Sequence, residues 1–566
     1  MKALKFVWKY CKVWLIVSLA VIVVFFSATM VATQNAFLAG TLDTVLGGEG
    51  RKVESGDANR YIYYDKTATG FKQFDPGDLS LSEGVFSTKA DKEAVHAAAL
   101  KLNEEIVGEG VVLLKNEGNA LPVPTSESSK AKISVFGKNS ANVVLGGSGS
   151  GGGNSAGSVS LYDGLRNAGY ELNPKLTEFY EGSASGSGRS DSPAIGAKVT
   201  GLKIGETPLE NYTSDITNSY EQYNDAAIIV LSRMGGEGWD LPRLQVTDYG
   251  GAAIEGSQEG GQHYLEIDAN EEALIRDVAS SGKFDKVVVL INCATSMELG
   301  FLDEIEGIDA AMWIGTLGGS GANAVGNVLS GKINPSGHLI DTYVRDFTKD
   351  PTWQNFGDNL SASGNLYTTG GNNSSYHYIE YEEGIYLGYR YYETRSYQEI
   401  YRFGDDGGWY DENVVYPFGY GLSYTTFEWS LKESNAGVVL DKDTNNQITA
   451  TVTVKNTGDV AGKDVIQLYY SAPYVTGGIE KAHVVLGGMV KTDLLQPGEA
   501  KDYTVTLDIE DMASYDYNDA NGNGNRGYEL DPGLYSVYIG RDAHSCWTAE
   551  DSELIKLDYT VASDIL

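Results

Sequence analysis

Between residues 111 and 329, short wholly apolar runs alternate with stretches whose apolar residues recur every three or four positions. The runs Val111–Leu114, Ile133–Phe136, Ala226–Leu231, Val287–Ile291 and Ala310–Ile314 predict buried strands. Asp91–Glu109, Leu161–Ala168, Asn270–Ser281 and Gly321–Leu329 predict helices, and Glu271 and Glu272 sit in a first turn, where the helix dipole favours carboxylates. Such alternation implies an α/β sandwich with a mainly parallel sheet covered on both faces.

The pattern changes twice further on. Residues 341 to about 424 are rich in Tyr, Gly and Asn and lack long apolar runs, which predicts a connecting segment packed by aromatics, with the Tyr381–Tyr392 cluster serving packing. From Thr425 onward, Thr449–Val454, Val465–Tyr470, Val484–Val490, Asp502–Leu507 and Leu534–Ile539 read as short strands between Gly, Asp and Pro turns. That spacing predicts an all-β sandwich of the immunoglobulin or fibronectin type III kind. The first 34 residues differ again: Lys2, Lys5, Lys9 and Lys12 precede an uncharged apolar run from Val13 to about Val31, long enough to span a bilayer. We read it as an uncleaved transmembrane anchor with the lysines cytoplasmic and the rest outside, a cleaved secretory signal being the alternative. The expected division is therefore 1–34 lysine flank and anchor, 35–90 polar lead-in, 91–345 α/β domain, 346–424 connector and 425–566 sandwich.

A length of 566 residues exceeds what one core supports. The formal charge of −35, spread along the chain, excludes nucleic acid as a partner, since phosphates would be repelled, but not a neutral sugar. Cys11, Cys293 and Cys546 show no zinc or disulfide spacing, so buried free thiols are expected, although a Cys293–Cys546 bridge would be possible across domains.

Candidate chemistry centres on Gly235-Gly236-Glu237-Gly238-Trp239-Asp240, just past the apolar run Ala226–Leu231. A carboxylate in a glycine-rich loop at the carboxyl end of a buried strand stands where open α/β sheets present their ligands, and suits a general acid/base. A solvated turn is the plain alternative. Gly147 to Gly152 matches G-x-G-x-x-G, with Glu171 at about the distance of a ribose-binding acid, so a nucleotide site is a rival reading. Against it, residues 137–145 separate the glycines from the strand before them, and a flexible loop bordering a cleft fits better. Asp519-Ala520-Asn521-Gly522-Asn523-Gly524 resembles the start of a calcium loop, but Leu530 stands at the twelfth position and Glu529 at the eleventh, so it reads as a turn. The six His show no paired spacing, and no metal or cofactor is expected.

Several segments in order carry a family resemblance. Val111–Glu117 followed by Leu121-Pro122, the stretch Ser232–Asp240, Asn327–Gly331 with Asn334–Gly337, and Pro417–Thr425 resemble family 3 glycoside hydrolases of the β-glucosidase type. Val454–Gly458 and Val465–Tyr469 are similar to that family's fibronectin type III-like domain. The resemblance implies retaining hydrolysis of β-linked glycosides by an Asp nucleophile and a Glu acid/base. By motif Glu237 is the acid/base, with Asp240 supporting it through Arg243; the run Asp-Leu-Pro-Arg departs from relatives that place Arg directly after Asp. The family's nucleophile lies on a (β/α)8 barrel in a Ser-Asp-Trp-like motif, and neither is found in this sequence, whose first 90 residues are too few for a barrel. The order of segments resembles members in which α/β domain and sandwich precede the barrel. The expectation is a membrane-anchored protein facing outward that supplies the acid/base half of a site for a β-linked glycoside or oligosaccharide, completed by a barrel domain or chain. A non-catalytic surface module that binds glycans or a protein is the alternative.

Overall fold

The computed structural model describes residues 62–64, 71–73, 89–126, 128–153, 157–194, 199, 201–242, 262–356, 366–368, 375–377, 381–549 and 554–565. The chain divides into two units, Met1–His96 and Ala97–Leu566. In the first, Ile62–Tyr64 pairs antiparallel with Phe71–Gln73. The expected anchor and Cys11 lie outside the described residues; among those described, no helix is long and apolar enough to cross a membrane.

The second unit begins within the helix α1, Lys89–Gly110. A six-stranded sheet follows, made of β1 (Val112–Asn116), β2 (Lys132–Phe136), β3 (Glu171–Leu172), β4 (Ala226–Arg233), β5 (Val287–Cys293) and β6 (Ala310–Trp313). Its order is β1-β6-β5-β4-β2-β3, parallel throughout except for β1, which runs antiparallel to β6. Every residue of β4 and β5 is buried, which explains why both read as unbroken apolar runs.

The side chains of β4 divide between two cores. Ala226, Ile228 and Val230 face the helices α2 (Leu161–Ala168) and α5 (Gly321–Leu329). Ala227, Ile229 and Leu231 face α3 (Pro174–Glu181) and α4 (Ala269–Ser280). The expected sheet covered on both faces is thus observed. Cys293 and Cys546 are buried free thiols.

The connector contains an element that its composition concealed, the helix α6, Tyr389–Phe403. Its segment is closed by an antiparallel pair of β7 (Tyr343–Val344) and β8 (Val414–Tyr416). The sandwich then packs β9 (Phe427–Ser434), β10 (Gln447–Asn456) and β13 (Ala500–Asp508) against β11 (Val465–Ser471), β12 (Val485–Lys491), β14 (Gly533–Gly540) and β15 (Ile555–Val561), with Val439–Leu440 added beside β15. One core of alternating inward residues fills it, including Ile448, Ala450, Val452 and Val454 of β10.

Side chains join the two domains. Asn334 Oδ1 accepts hydrogen bonds from Ser423 Oγ and Tyr424 N, while its Nδ2 donates to Ala461 O. Glu109, at the carboxyl end of α1, pairs with both Lys463 and Lys491 of the sandwich.

Candidate active site

The chain leaves β2 outward to β3 and returns to β4 on the other side of β2. The carboxyl ends of β2 and β4 therefore flank the point where the strand order reverses, the usual ligand crevice of an open α/β sheet. The loop after β2 carries the glycine run 146–153, and the loop after β4 carries Glu237. The two singled-out motifs are neighbours, and they touch.

Ser150 donates to Glu237 Oε2 from its N–H at 2.9 Å and from its hydroxyl at 2.8 Å. Ser148 Oγ donates to the Glu237 carbonyl at 2.7 Å and receives the Trp239 indole N–H at 2.9 Å. The approach requires glycine at two positions: a Cβ on Gly149, whose φ is +64°, would overlap Glu237 Oε2, and one on Gly236 would overlap Ser148 Oγ. The glycine run is therefore a hydrogen-bonded clasp on the Glu237 loop rather than a free loop. Glu171 opens the short edge strand β3, level with the first residue of β2, whereas the glycines follow the last. Four residues of strand, roughly 13 Å, separate these levels, so the dinucleotide arrangement is not formed.

The loop roots are fixed more firmly than the tip. Arg233, the last residue of β4, is fully buried and makes a two-pronged pair with Glu271, at 2.8 Å and 2.7 Å. It also donates to the carbonyls of Tyr264, Ser232 and Glu266. Glu271 in turn closes the capping box of α4, with Asp268 as N-cap. Met234 N donates to Tyr264 Oη at 2.8 Å, which ties the residue after Arg233 as well. On the other side, Asn292 at the end of β5 holds Val144 through both its backbone groups and also accepts from Ser232 Oγ. Arg189 lies across both roots, reaching Asn142 O and Met234 Sδ, and burial pulls its pKa down.

Glu237 itself is exposed, and the Ser150 hydrogen bonds, backbone first, hold its carboxyl below the usual carboxylate range. Asp240 is exposed beside the half-buried Trp239, and Arg243 lies outside the described residues. Removing the Ser150 hydroxyl is expected to move the Glu237 titration up toward the ordinary Glu value, read from its carboxyl carbon by NMR; an unchanged titration would show that the contact does not form in solution.

Just past the end of β2, the buried Glu206 accepts N–H groups of Lys138 and Thr207. Those donors favour the ionised form, but burial outweighs them and raises its pKa to about 8. The folded chain thus holds this proton more tightly than the unfolded chain, in which the group has its ordinary value of 4.5. Stability from this group is full below that value and falls as pH rises through about 8, by a few kcal/mol in all. Urea unfolding at about pH 5 and about pH 8 checks this. Glu206→Gln should flatten that slope.

Comparison with known proteins gives the site a lineage. Residues 111–389 match the model of the glycosyl hydrolase family 3 C-terminal domain, and residues 464–543 that of a fibronectin type III-like domain. The chain carries the C-terminal domain of family 3 glycosyl hydrolases. Beta-glucosidase A of Butyrivibrio fibrisolvens is 31% identical over 484 residues, which cover 82% of this chain and 52% of that protein. An exo-alpha-(1->6)-L-arabinopyranosidase of Bifidobacterium longum is 27% identical over 82% of this chain and 48% of its own length. The crystal structure of a beta-glucosidase from Paenibacillus barengoltzii, 29% identical, matches with a TM-score of 0.61 over 82% of this chain and 44% of that one. The chain thus spans about half the length of the relatives it matches, and no (β/α)8 barrel occurs among the described residues. The family 3 domain includes the whole Glu237 loop and its serine clasp.

The clasp was not legible in advance. Ser148 and Ser150 sit in a glycine run without a local pattern of their own, and only the adjacency of β2 and β4 gives them a role. Arg233 and Glu271 left a fainter signal: a charged residue ending an apolar strand, and the Asp268-x-x-Glu271 box opening a helix.

Proposed function

We propose that this chain supplies the acid/base carboxylate, Glu237, of a retaining β-glycosidase site of the β-glucosidase type. The Asp nucleophile would come from a (β/α)8 barrel domain or chain facing the β2–β4 crevice. The observation that carries this reading is an exposed, clasped glutamate at the switch point of a family 3 domain. Asp240 and Arg243 would steady the tip of its loop. The sugar is left open, since the relatives are named for both glucosides and an arabinopyranoside.

One observation favours a second reading, a non-catalytic module that binds a glycan or a protein. Glu237 is held ionised, whereas a general acid must carry a proton at working pH. The complete site would remove that objection. In retaining enzymes the two carboxyl groups stand about 5–5.5 Å apart. A second carboxylate that close disfavours a second negative charge, which pushes the pKa of the proton-carrying partner up. The Lys-flanked run Val13–Val31 would anchor the protein with this site on the outer face.

The test is hydrolysis of an aryl β-glucoside by the purified full chain, alone and mixed with a family 3 barrel. The expected result is turnover only in the mixture, lost on Glu237→Gln. Turnover that survives this change would overturn the proposal, and the absence of turnover with any barrel would favour the binding module.

A further inference from the structure

A second cleft lies away from Glu237, between α6 and the 471–483 connection of the sandwich. Its volume is about 530 Å³, within the range of small-ligand sites. A second compartment of about 320 Å³ abuts it and shares Tyr386, Thr394 and Gln398 as walls. Tyr397 and Tyr401, one helical turn apart on α6, line the larger compartment with ring centroids 6.3 Å apart. Tyr397 is fixed by parallel stacking on His483 at 3.8 Å, whereas Tyr401 is 80% exposed. Tyr474 lines the same cleft, half-exposed. Single exposed apolar residues need no explanation, but several rings gathered around one cavity mark a binding surface.

The polar groups define the ligand. Glu480 accepts the Tyr386 hydroxyl at 2.5 Å and also engages Tyr474, so a carboxylate stands at the junction of the compartments. Glu382 and Glu383 line the smaller one. Of the cations on the walls, Lys481 is taken up by Pro473 O and Asp531 and Arg395 by Glu399, while Arg402 stands next to Tyr401 in the larger compartment. The three carboxylates of the smaller compartment and the chain's charge of −35 disfavour an anionic ligand. His483 lines the larger compartment, and its buried Nε2 has no hydrogen-bond partner among the described residues. Burial keeps that imidazole neutral. A neutral molecule with C–H faces for the rings and hydroxyls for the carboxylates and the Gln398 amide suits this lining.

We propose that the α6 cleft is a second, non-catalytic carbohydrate site that binds a neutral oligosaccharide across Tyr397, Tyr401 and Tyr474. The proposal does not rest on the role of Glu237. It is tested by calorimetric titration of the full chain with cellotetraose, with Trp547 fluorescence as a local reporter, since that indole lies 4.5 Å from the His483 ring. Binding in the millimolar range or tighter is expected, weakened roughly tenfold by Tyr401→Ala and again by Tyr474→Ala, and unchanged by Glu237→Gln. Both tyrosines are exposed enough that their loss should leave unfolding by urea unaffected. Absence of binding, binding insensitive to both tyrosine changes, or binding abolished by Glu237→Gln would each overturn the assignment. The last would place the sugar at the catalytic crevice instead, and a tyrosine variant that loses only a protein contact would mark the surface as a docking face.

Discussion

Glu237→Gln is expected to lower turnover of the barrel-complemented protein by about 10²–10⁴-fold, the ordinary worth of a general acid/base. The size should depend on the leaving group. A dinitrophenolate departs without a proton, so its release should suffer least, and an alkyl glycoside, whose alkoxide cannot leave unaided, should suffer most. Hydrolysis of the second step still needs a base, so even the activated substrate should show a slow second phase after an initial burst. A uniform loss across leaving groups would instead show that the substitution damaged substrate binding or the docking of the barrel. The isosteric change keeps one acceptor for Ser150, so the clasp should survive it in part.

Arg233→Met should cost about 3–5 kcal/mol of folding stability, the second large effect. The guanidinium is wholly buried at the end of β4, and its loss leaves the fully buried Glu271 without its cation. Chemical unfolding measures the change directly. Adding Glu271→Leu should return part of it, because two apolar side chains of similar bulk can fill such a site. The return should stop about 1 kcal/mol short, since Glu271 also accepts the Asp268 N–H in the cap of α4. A single variant as stable as the parent would mean that this arginine is hydrated and the root of the Glu237 loop looser than described.

The strands most readable in the sequence were those buried on both faces. Ala226–Leu231 and Val287–Ile291 lie within β4 and β5 because central parallel strands have no solvent side to encode. Both strands run two residues further, where polar side chains found buried partners: Ser232 on Asn292, and Arg233 on Glu271. The edge strand β3 has only two residues, too few for any periodicity, and α3 follows it after a single Asn-Pro junction. α6 was hidden because its buried side carries Tyr392, Glu393, Thr394 and Ser396 in place of aliphatic residues. Glu393 is satisfied there by the hydroxyl of Tyr410, His544 and Trp547, contacts that no local pattern announces. In the site, the loop bearing Glu237 was legible from its glycines, but its clasp depends on which strands are neighbours, and sheet order is a property of the whole chain.

The exposure of Glu237 at an open crevice has a kinetic consequence. A reaction shared between two modules runs at a rate set by how often they meet. With both on one polypeptide, the local concentration is of millimolar order whatever the amount of enzyme, and specific activity does not change on dilution. With the modules on separate chains, specific activity should fade as the protein is diluted, so that a dilution series alone distinguishes an internal partnership from a recruited one.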